Sequence, residues 1–179
     1  RSMPRWNMTS SGQWLANLAA AGVRPEAVDY VMCTHLHRDH VGWNTVLRDG
    51  RWVPTFPNAT YVFSQKEYDY WATQPDARPN EGFPDSVRPV VEAGRAALVA
   101  NDFALDDEVW LEPTPGHTPD HVGVHLKSNG AQAVITGDLI HTPVQCLEPT
   151  WAMRADFDRD LARKTRRAFL ERYCGTDVL

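Results

Sequence analysis

The sequence contains no long hydrophobic run and no surplus of positive charge. Its longest apolar stretches, around Leu18 to Val23 and Ala96 to Ala100, are far shorter than the roughly 18 residues that a membrane-spanning helix needs. The 18 Lys and Arg residues are outnumbered by 23 Asp and Glu residues, which gives a formal net charge of -5. Such a chain has no overall cationic field to draw it to a polyanion. We therefore expect neither a membrane nor a nucleic acid as a partner.

Cysteine is scarce, and its positions follow no disulfide or metal-binding pattern. Cys33, Cys146 and Cys174 are odd in number, lie far apart and never occur as a C-x-x-C pair. A disulfide framework is therefore not expected. We interpret all three as small buried side chains in a reducing compartment, which favours a cytoplasmic location. Because the chain begins with Arg1 rather than Met, a secretion signal before that residue stays an open alternative.

Internal repeats, low-complexity segments and Gly/Ser linkers are also absent from the sequence. We therefore predict a single α/β domain over residues 1–179. Apolar residues at helical spacing predict four main helices: residues 10–22, Ser64 to beyond Trp71, Val87 to Ala100, and about Asp158 to Tyr173. Apolar and β-branched runs predict five strands: Tyr30 to Thr34, Thr60 to Phe63, Val109 to Glu112, Val122 to Leu126, and Ala131 to Thr136. Residues 73–84 are predicted to form a surface loop, and the arginines of the last helix a solvated face.

Histidine, in contrast, is concentrated in one part of the chain. All seven histidines lie between positions 35 and 141, and residues 34–42 read THLHRDHVG at the end of a predicted strand. Side chains at positions i and i+2 of an extended chain project to the same side, so His35 and His37 can bind one metal ion. Asp39 and His40, after the chain turns, can bind a second. The alternative is a cluster of unrelated loop histidines, which would require many hydrogen-bond partners.

Two later turns supply further candidate ligands. The segment PGHTP presents His117 at the end of one predicted strand, and TGD presents Asp138 at the end of another. Each turn alone is weak evidence, because Gly-His and Gly-Asp turns are common. Together with the first motif, and in this order, they indicate a metal centre.

These segments resemble the metallo-β-lactamase superfamily, in which an αββα sandwich carries a dinuclear metal site at the edge of two sheets. The resemblance rests on THLHRDHVGWN, PTFPNATYVFSQKEY, PGHTPDHVGV and TGDLIHTPVQ, which look like the branch containing N-acyl homoserine lactonases and methyl-parathion-hydrolase-like enzymes. It implies zinc, or another borderline ion, at two positions. It also implies the following ligands: His35, His37 and His117 for the first ion, Asp39 and His40 for the second, and Asp138 as the bridge.

The chain departs from the family pattern in three places. The final ligand histidine that normally follows the last helix does not occur before Leu179, and the opening strands of the sheet are expected before Arg1. We therefore expect an αββα sandwich truncated at both ends, with an incomplete second metal position. In addition, Asp120 stands where the family commonly has glycine.

The resemblance implies a dinuclear zinc hydrolase of lactones or esters, with phosphotriesterase side activity, in which a hydroxide bridging the two ions attacks the substrate. Asp39 is expected to pass a proton to the leaving group. His141 stands where lactonase-like relatives carry a tyrosine and is expected to donate a hydrogen bond to the developing oxyanion. Packing beside the site is the alternative role for His141.

Aromatic side chains near the motifs predict an apolar mouth for the site, which favours acyl lactones or aryl esters as small-molecule substrates. Trp43, Phe83 and Trp151 are the expected substrate-binding residues, and packing in the core is the alternative for each. A glyoxalase-II-like thioesterase, a β-lactamase and a truncated metal-binding domain with little catalysis are the competing functions. The oligomeric state is left open, a homodimer included.

Overall fold

The computed structural model describes residues 12–74 and 82–179. The helices are α1 (Gln13–Ala20), α2 (Arg38–Val41), α3 (Gln65–Thr73), α4 (Arg88–Glu92), α5 (Val144–Leu147) and α6 (Arg159–Tyr173). The strands are β1 (Tyr30–Met32), β2 (Thr45–Arg48), β3 (Arg51–Pro54), β4 (Thr60–Ser64), β5 (Ala96–Val99), β6 (Val109–Pro113), β7 (Val122–Ser128) and β8 (Ala131–Ile135). Short 3-10 turns occupy Pro25–Ala27, Gly42–Asn44 and Gly137–Leu139, and a π-helical turn occupies Phe83–Val87.

The strands form two three-stranded sheets and one hairpin. The first sheet is parallel, with the order β1-β4-β5, and its central strand is buried along Tyr61, Val62 and Phe63, because a parallel sheet is covered on both faces. The second sheet is antiparallel, with the order β6-β7-β8. Strands β2 and β3 pair separately around a turn in which Asp49 has a φ of 50°.

The hydrophobic core consists of two clusters, one on each side of the parallel sheet, and they show how the helices and sheets are stacked. Buried side chains of β4 pack with Tyr68 and Trp71 of α3 and with Val91 of α4 on one side of the parallel sheet. On its other side, residues of β1 and β5 pack against Val122 and Val124 of the antiparallel sheet. Helix α6 packs on the outer face of that second sheet, where Tyr173 contacts His125 of β7 and donates a hydrogen bond to Glu112 of β6. This is the αββα order, so the predicted fold class is confirmed.

Three expectations from the sequence are corrected. Residues 87–100 do not form one helix, because α4 ends at Glu92 and Ala96–Val99 is the strand β5, paired in parallel with β4. A short apolar run suits either a helix or a strand, and here the pairing with β4 makes it a strand. Of the three free cysteines only Cys33 is buried, whereas Cys146 and Cys174 are exposed. The arginines of α6 do not all lie on a solvated face, because Arg166 is fully buried.

Parts of two predictions fall outside the described residues. The predicted loop at 73–84 includes residues 75–81, and the predicted start of the first helix includes residues 10 and 11. Within the described ranges, none of the helices combines the length and the apolar character needed to cross a bilayer.

The carboxyl ends of strands from both sheets meet at one edge and carry the candidate ligands. The chain leaves β1 directly into the first histidine motif, and Thr34 there accepts a hydrogen bond from the backbone N–H of Val122 in β7 at 2.9 Å. The turn before β7 requires Gly116, whose φ is 132° and where a Cβ would lie 2.3 Å from the backbone nitrogen of Ala162 in α6. Helix α6 therefore supports the turn that presents His117.

Candidate metal centre

Three imidazole nitrogens converge at the edge of the sheets. Nε2 of His35 lies 3.1 Å from Nδ1 of His37, which in turn lies 3.0 Å from Nε2 of His117. In a tetrahedral zinc site with Zn–N bonds of about 2.0–2.1 Å, neighbouring ligand atoms lie about 3.3 Å apart. The three nitrogens thus have the spacing of ligands around one ion.

Asp138 presents one carboxylate oxygen to each side of the cluster. Its Oδ1 lies 3.1 Å from Nε2 of His40, and its Oδ2 lies 3.3 Å from Nε2 of His117 and 4.0 Å from Nε2 of His35. A carboxylate placed in this way can be shared between two metal ions. The structure therefore brings together five of the six predicted ligands: His35, His37, His40, His117 and Asp138.

Protonation states in the cluster suit a cation. Burial, aided by neighbouring histidines, lowers the pKa of His35 far below its ordinary value, and burial lowers the pKa of His37 to about 4. Burial opposes ionisation of Asp138, yet hydrogen bonds from two histidines hold the pKa of its carboxyl well below the usual range. Near neutral pH the imidazoles of His35 and His37 are uncharged and the carboxylate is ionised, as metal binding requires. Burial opposes the charging of His40, yet its hydrogen bond to Asp138 raises its pKa.

The hydrogen bond between His117 and Asp156 selects which nitrogen of His117 is free. Nδ1 of His117 lies 3.0 Å from Oδ1 of Asp156, whose side chain is completely buried. The other oxygen of Asp156 accepts the backbone N–H of Met153 at 2.8 Å. Because Nδ1–H donates to the carboxylate, Nε2 carries a lone pair that points into the cluster. This lone pair faces the carboxylate oxygen of Asp138, and a cation between them removes the repulsion, so the residues present fit a divalent metal.

Asp156 was not identified from the sequence, and it provides a test of the centre. We expect Asp156→Asn to lower zinc affinity by about 10- to 100-fold, because the amide cannot accept from both His117 and Met153. Competition with a chromophoric chelator measures the change. Asp160→Asn is the matched control, since the side chain of Asp160 is 81% exposed. Equal zinc affinities for the two variants would contradict this role of Asp156.

His121 positions the turn that carries Asp138. Its Nε2 accepts the backbone N–H of Asp138 at 3.1 Å, and its Nδ1 lies 2.8 Å from the hydroxyl of Thr114. Burial lowers the pKa of His121 to about 3, so the ring is neutral and able to accept. The turn packs closely here, because a Cβ on Gly137, whose φ is 50°, would lie 2.8 Å from Nε2 of His121.

Glu67 joins the two histidine loops. One carboxylate oxygen accepts the backbone N–H of Leu36 at 3.4 Å and the indole N–H of Trp71 at 2.8 Å. The other accepts the backbone N–H of Asp120 at 3.1 Å. Burial raises the pKa of Glu67, against the effect of these hydrogen bonds. This link between the loops could not be predicted from the sequence, because the partners of Glu67 are distant along the chain.

Asp120, which stands where the family commonly has glycine, is buried in a network of its own. Its carboxylate accepts the hydroxyl of Ser64 and the side-chain amide of Asn101, the latter at 2.7 Å. The side chain thus points toward the ends of β4 and β5 and connects them to the loop of His117. The departure from the family pattern is accommodated by these partners.

The remaining predicted site residues lie in different surroundings. The side chain of Asp39 is 45% exposed, and its Oδ2 lies 4.0 Å from Nε2 of His40. Asp39 joins none of the three ligand clusters found among residues 12–74 and 82–179. His141 lies against Asp138, with 3.3 Å between its Nε2 and Oδ2 of the carboxylate.

Among the predicted aromatic residues, only some are accessible. Phe83 is 4% exposed and belongs to the hydrophobic core beside Tyr68, so its predicted contact with substrate is wrong, because core packing holds the ring. Trp43 is half-buried and stacks on Trp14 at 4.9 Å between ring centroids. Trp151 is 59% exposed. Contacts of Trp43 and Trp151 with substrate stay predictions.

Comparison with known proteins identifies the family of the sequence. The family model of the metallo-beta-lactamase superfamily matches residues 6–172. The N-acyl homoserine lactonase AttM of Azorhizobium caulinodans is 31% identical over 135 residues, which are 72% of this chain and 47% of the relative. An N-acyl homoserine lactonase of a Bacillus species is 26% identical over 128 residues, which are 72% of this chain and 44% of the relative. The chain thus spans about half the length of the curated relatives it matches.

Comparison with solved structures supports the same family. A hydrolase of the beta-lactamase superfamily, AbOPH, is similar with a TM-score of 0.78 and 31% identity, over 93% of this chain and 61% of that chain. AidC, a dizinc quorum-quenching lactonase, is similar in fold with a TM-score of 0.75 and 24% identity, over 88% of this chain and 57% of that chain. With the αββα layers and the ligand cluster described above, these matches show that the chain belongs to the metallo-β-lactamase superfamily.

Proposed function

We propose that this chain carries the metal centre of a hydrolase that cleaves lactones or esters and uses two zinc ions. The observation that carries the proposal is the cluster of imidazoles around one ionised, shareable carboxylate, Asp138. The similarity to N-acyl homoserine lactonases supports a lactone as the substrate class. We further propose that phosphotriesters are side substrates, since their phosphoryl oxygen is attracted to the same cationic centre.

Two sets of residues would hold the ions. His35, His37 and His117 form the first set. The second consists of His40, on the Oδ1 side of Asp138, and Asp39, which lies outside the three clusters but has its Oδ2 4.0 Å from Nε2 of His40. When bound, zinc would polarise the substrate carbonyl and lower the pKa of its bound water to near neutrality. Neither a serine nor a cysteine nucleophile is needed for such chemistry.

The protein side chains contribute proton transfer and binding of the acyl group. Asp39 has a partly exposed carboxylate within 4.0 Å of His40, where it can take up the proton that the attacking water releases and pass it to the departing alkoxide. Trp151 and Phe157, which are 59% and 57% exposed, lie on the loop that precedes α6. The backbone N–H of Phe157 bonds to the carbonyl of His117 at 3.0 Å, which places this apolar residue beside the centre. These residues suit a neutral, apolar acyl chain.

Zinc content and turnover together test the proposal. We expect about two zinc ions per chain when a partner or further residues complete the second position, with hydrolysis of an N-acyl lactone and an aryl ester and slower hydrolysis of paraoxon. Inductively coupled plasma mass spectrometry gives the metal content, and a pH indicator follows acid release from the lactone. His125→Gln is the control, because His125 lies beside Glu112 on the outer face of the second sheet. About one zinc with no turnover of any substrate would instead support a metal-binding domain without catalysis.

A further inference from the structure

His141 stands next to the candidate metal centre. It follows Asp138 by three residues, and its Nε2 lies 3.3 Å from the same carboxylate oxygen, Oδ2, that faces Nε2 of His117. The ring centroids of His117 and His141 are 4.8 Å apart. One ligand atom from each of His117, Asp138 and His141 lies within 4.8 Å of the other two. His141 thus belongs to a third group of potential ligands, which shares His117 with the first group and Asp138 with the second.

Hydrogen bonds of the surrounding loop fix the backbone of His141. Its N–H donates to the side-chain oxygen of Gln145 at 2.7 Å, and Gln145 is only 1% exposed. The amide of Gln145 donates in turn to the carbonyl of Trp151 at 2.8 Å, a carbonyl that also accepts from Arg166. These hydrogen bonds hold the backbone that carries the imidazole of His141, as a metal ligand requires.

Only one nitrogen of the His141 ring has a polar neighbour. Nδ1 is buried and has no hydrogen-bond partner among the described residues, whereas Nε2 points at the carboxylate of Asp138. The lone pair of His117 Nε2 points at the same oxygen, because Nδ1–H of His117 is committed to Asp156. Two acceptor atoms, Nε2 of His117 and Oδ2 of Asp138, thus face each other at 3.3 Å, and a cation between them also lies within reach of Nε2 of His141.

We propose that His141 is an additional ligand, through Nε2, of the metal ion held by His35, His37 and His117. This ligand lies outside the set that the resemblance to the family implies. The competing interpretation is that Nε2–H of His141 only donates a hydrogen bond to Asp138. The two differ in what the ring nitrogen binds, and this difference can be measured without turnover.

Cadmium-113 NMR of the wild-type chain decides between these interpretations. The protein is labelled with nitrogen-15 histidine and loaded with cadmium-113, and His141→Gln identifies the resonances of His141. We expect a cadmium–nitrogen coupling at Nε2 of His141, besides those at His35, His37 and His117. Couplings at these three without one at His141 would overturn the proposal. The coupling itself is measured on the unaltered chain, and the variant serves only to assign it to His141.

Metal affinity provides the second readout. We expect His141→Gln to weaken zinc binding by more than the about tenfold that loss of an outer hydrogen-bond partner costs. The side-chain amide of glutamine can still donate to Asp138, so a hydrogen-bonding role alone predicts unchanged zinc affinity. Unchanged affinity would therefore refute His141 as a metal ligand. His125→Gln is the matched control for a buried histidine outside the cluster. The inference rests on the proposed function only for the presence of a metal, so coupling without lactone turnover would refute that function alone.

Discussion

His37→Ala is expected to reduce the hydrolysis of lactone or ester by about 10³-fold, because the polarising ion is worth several kcal/mol to the transition state. The imidazole of His37 stands between Nε2 of His35 and Nε2 of His117, so its loss removes the middle ligand of the first set. We expect zinc content to fall by one ion per chain. Steady-state kinetics and metal analysis measure the two effects.

The fold is expected to survive His37→Ala. His37 is only partly buried, and its ring contacts Trp71 at the surface of α3. Thermal unfolding of the metal-free proteins checks this point, with His125→Gln as the control for activity. Turnover of the alanine variant at the wild-type rate would remove His37 from the centre.

Arg166→Met is expected to lower the free energy of unfolding by about 3 kcal/mol or more, because buried carbonyl oxygens lose a charged donor. Arg166 is fully buried, and its guanidinium donates to the carbonyls of Leu139, Pro149 and Trp151 at 2.7 to 3.0 Å. Methionine preserves much of the aliphatic volume but none of the donors. Urea unfolding of the metal-free protein measures the change.

Arg167→Met is the matched control on the next position of the same helix. The side chain of Arg167 is 67% exposed and pairs with Glu171 four residues later, so its removal is expected to leave the free energy of unfolding unchanged. Arg166 donates to the carbonyl of Leu139, the residue directly after Asp138, so Arg166→Met is also expected to weaken zinc binding. Equal unfolding curves for the two methionine variants would show that Arg166 does not hold this loop.

Much of the candidate site could be predicted from the sequence, because the ligands follow strands in short, recognisable motifs. His35 and His37 lie two residues apart directly after β1, and Asp138 follows β8 by three residues. Strands that end at one edge place such residues together without any knowledge of the loops between them. The αββα fold class followed from the resemblance that these same segments carry.

The supporting residues could not be predicted, because their partners are distant in the sequence. Asp156 binds His117 across 39 positions, and Glu67 binds Leu36 across 31. Arg166 belongs to an arginine-rich helix, where a solvated face is the ordinary expectation, and only the packing of α6 on the loop of Asp138 explains its burial. Phe83 was misplaced for a related reason, since an aromatic residue near a motif fits a core as well as a mouth.

The carboxylate of Glu67 also has a consequence for how the centre acquires its metal. It binds backbone N–H groups on both sides of the cluster, at Leu36 and Asp120, and these bonds belong to the protein alone. In small zinc domains the binding energy of the ion is spent on folding the chain. Here the loops are already tied together, so little of that energy is needed for ordering them. It remains available for affinity, and for discrimination between ions that differ in radius and preferred geometry.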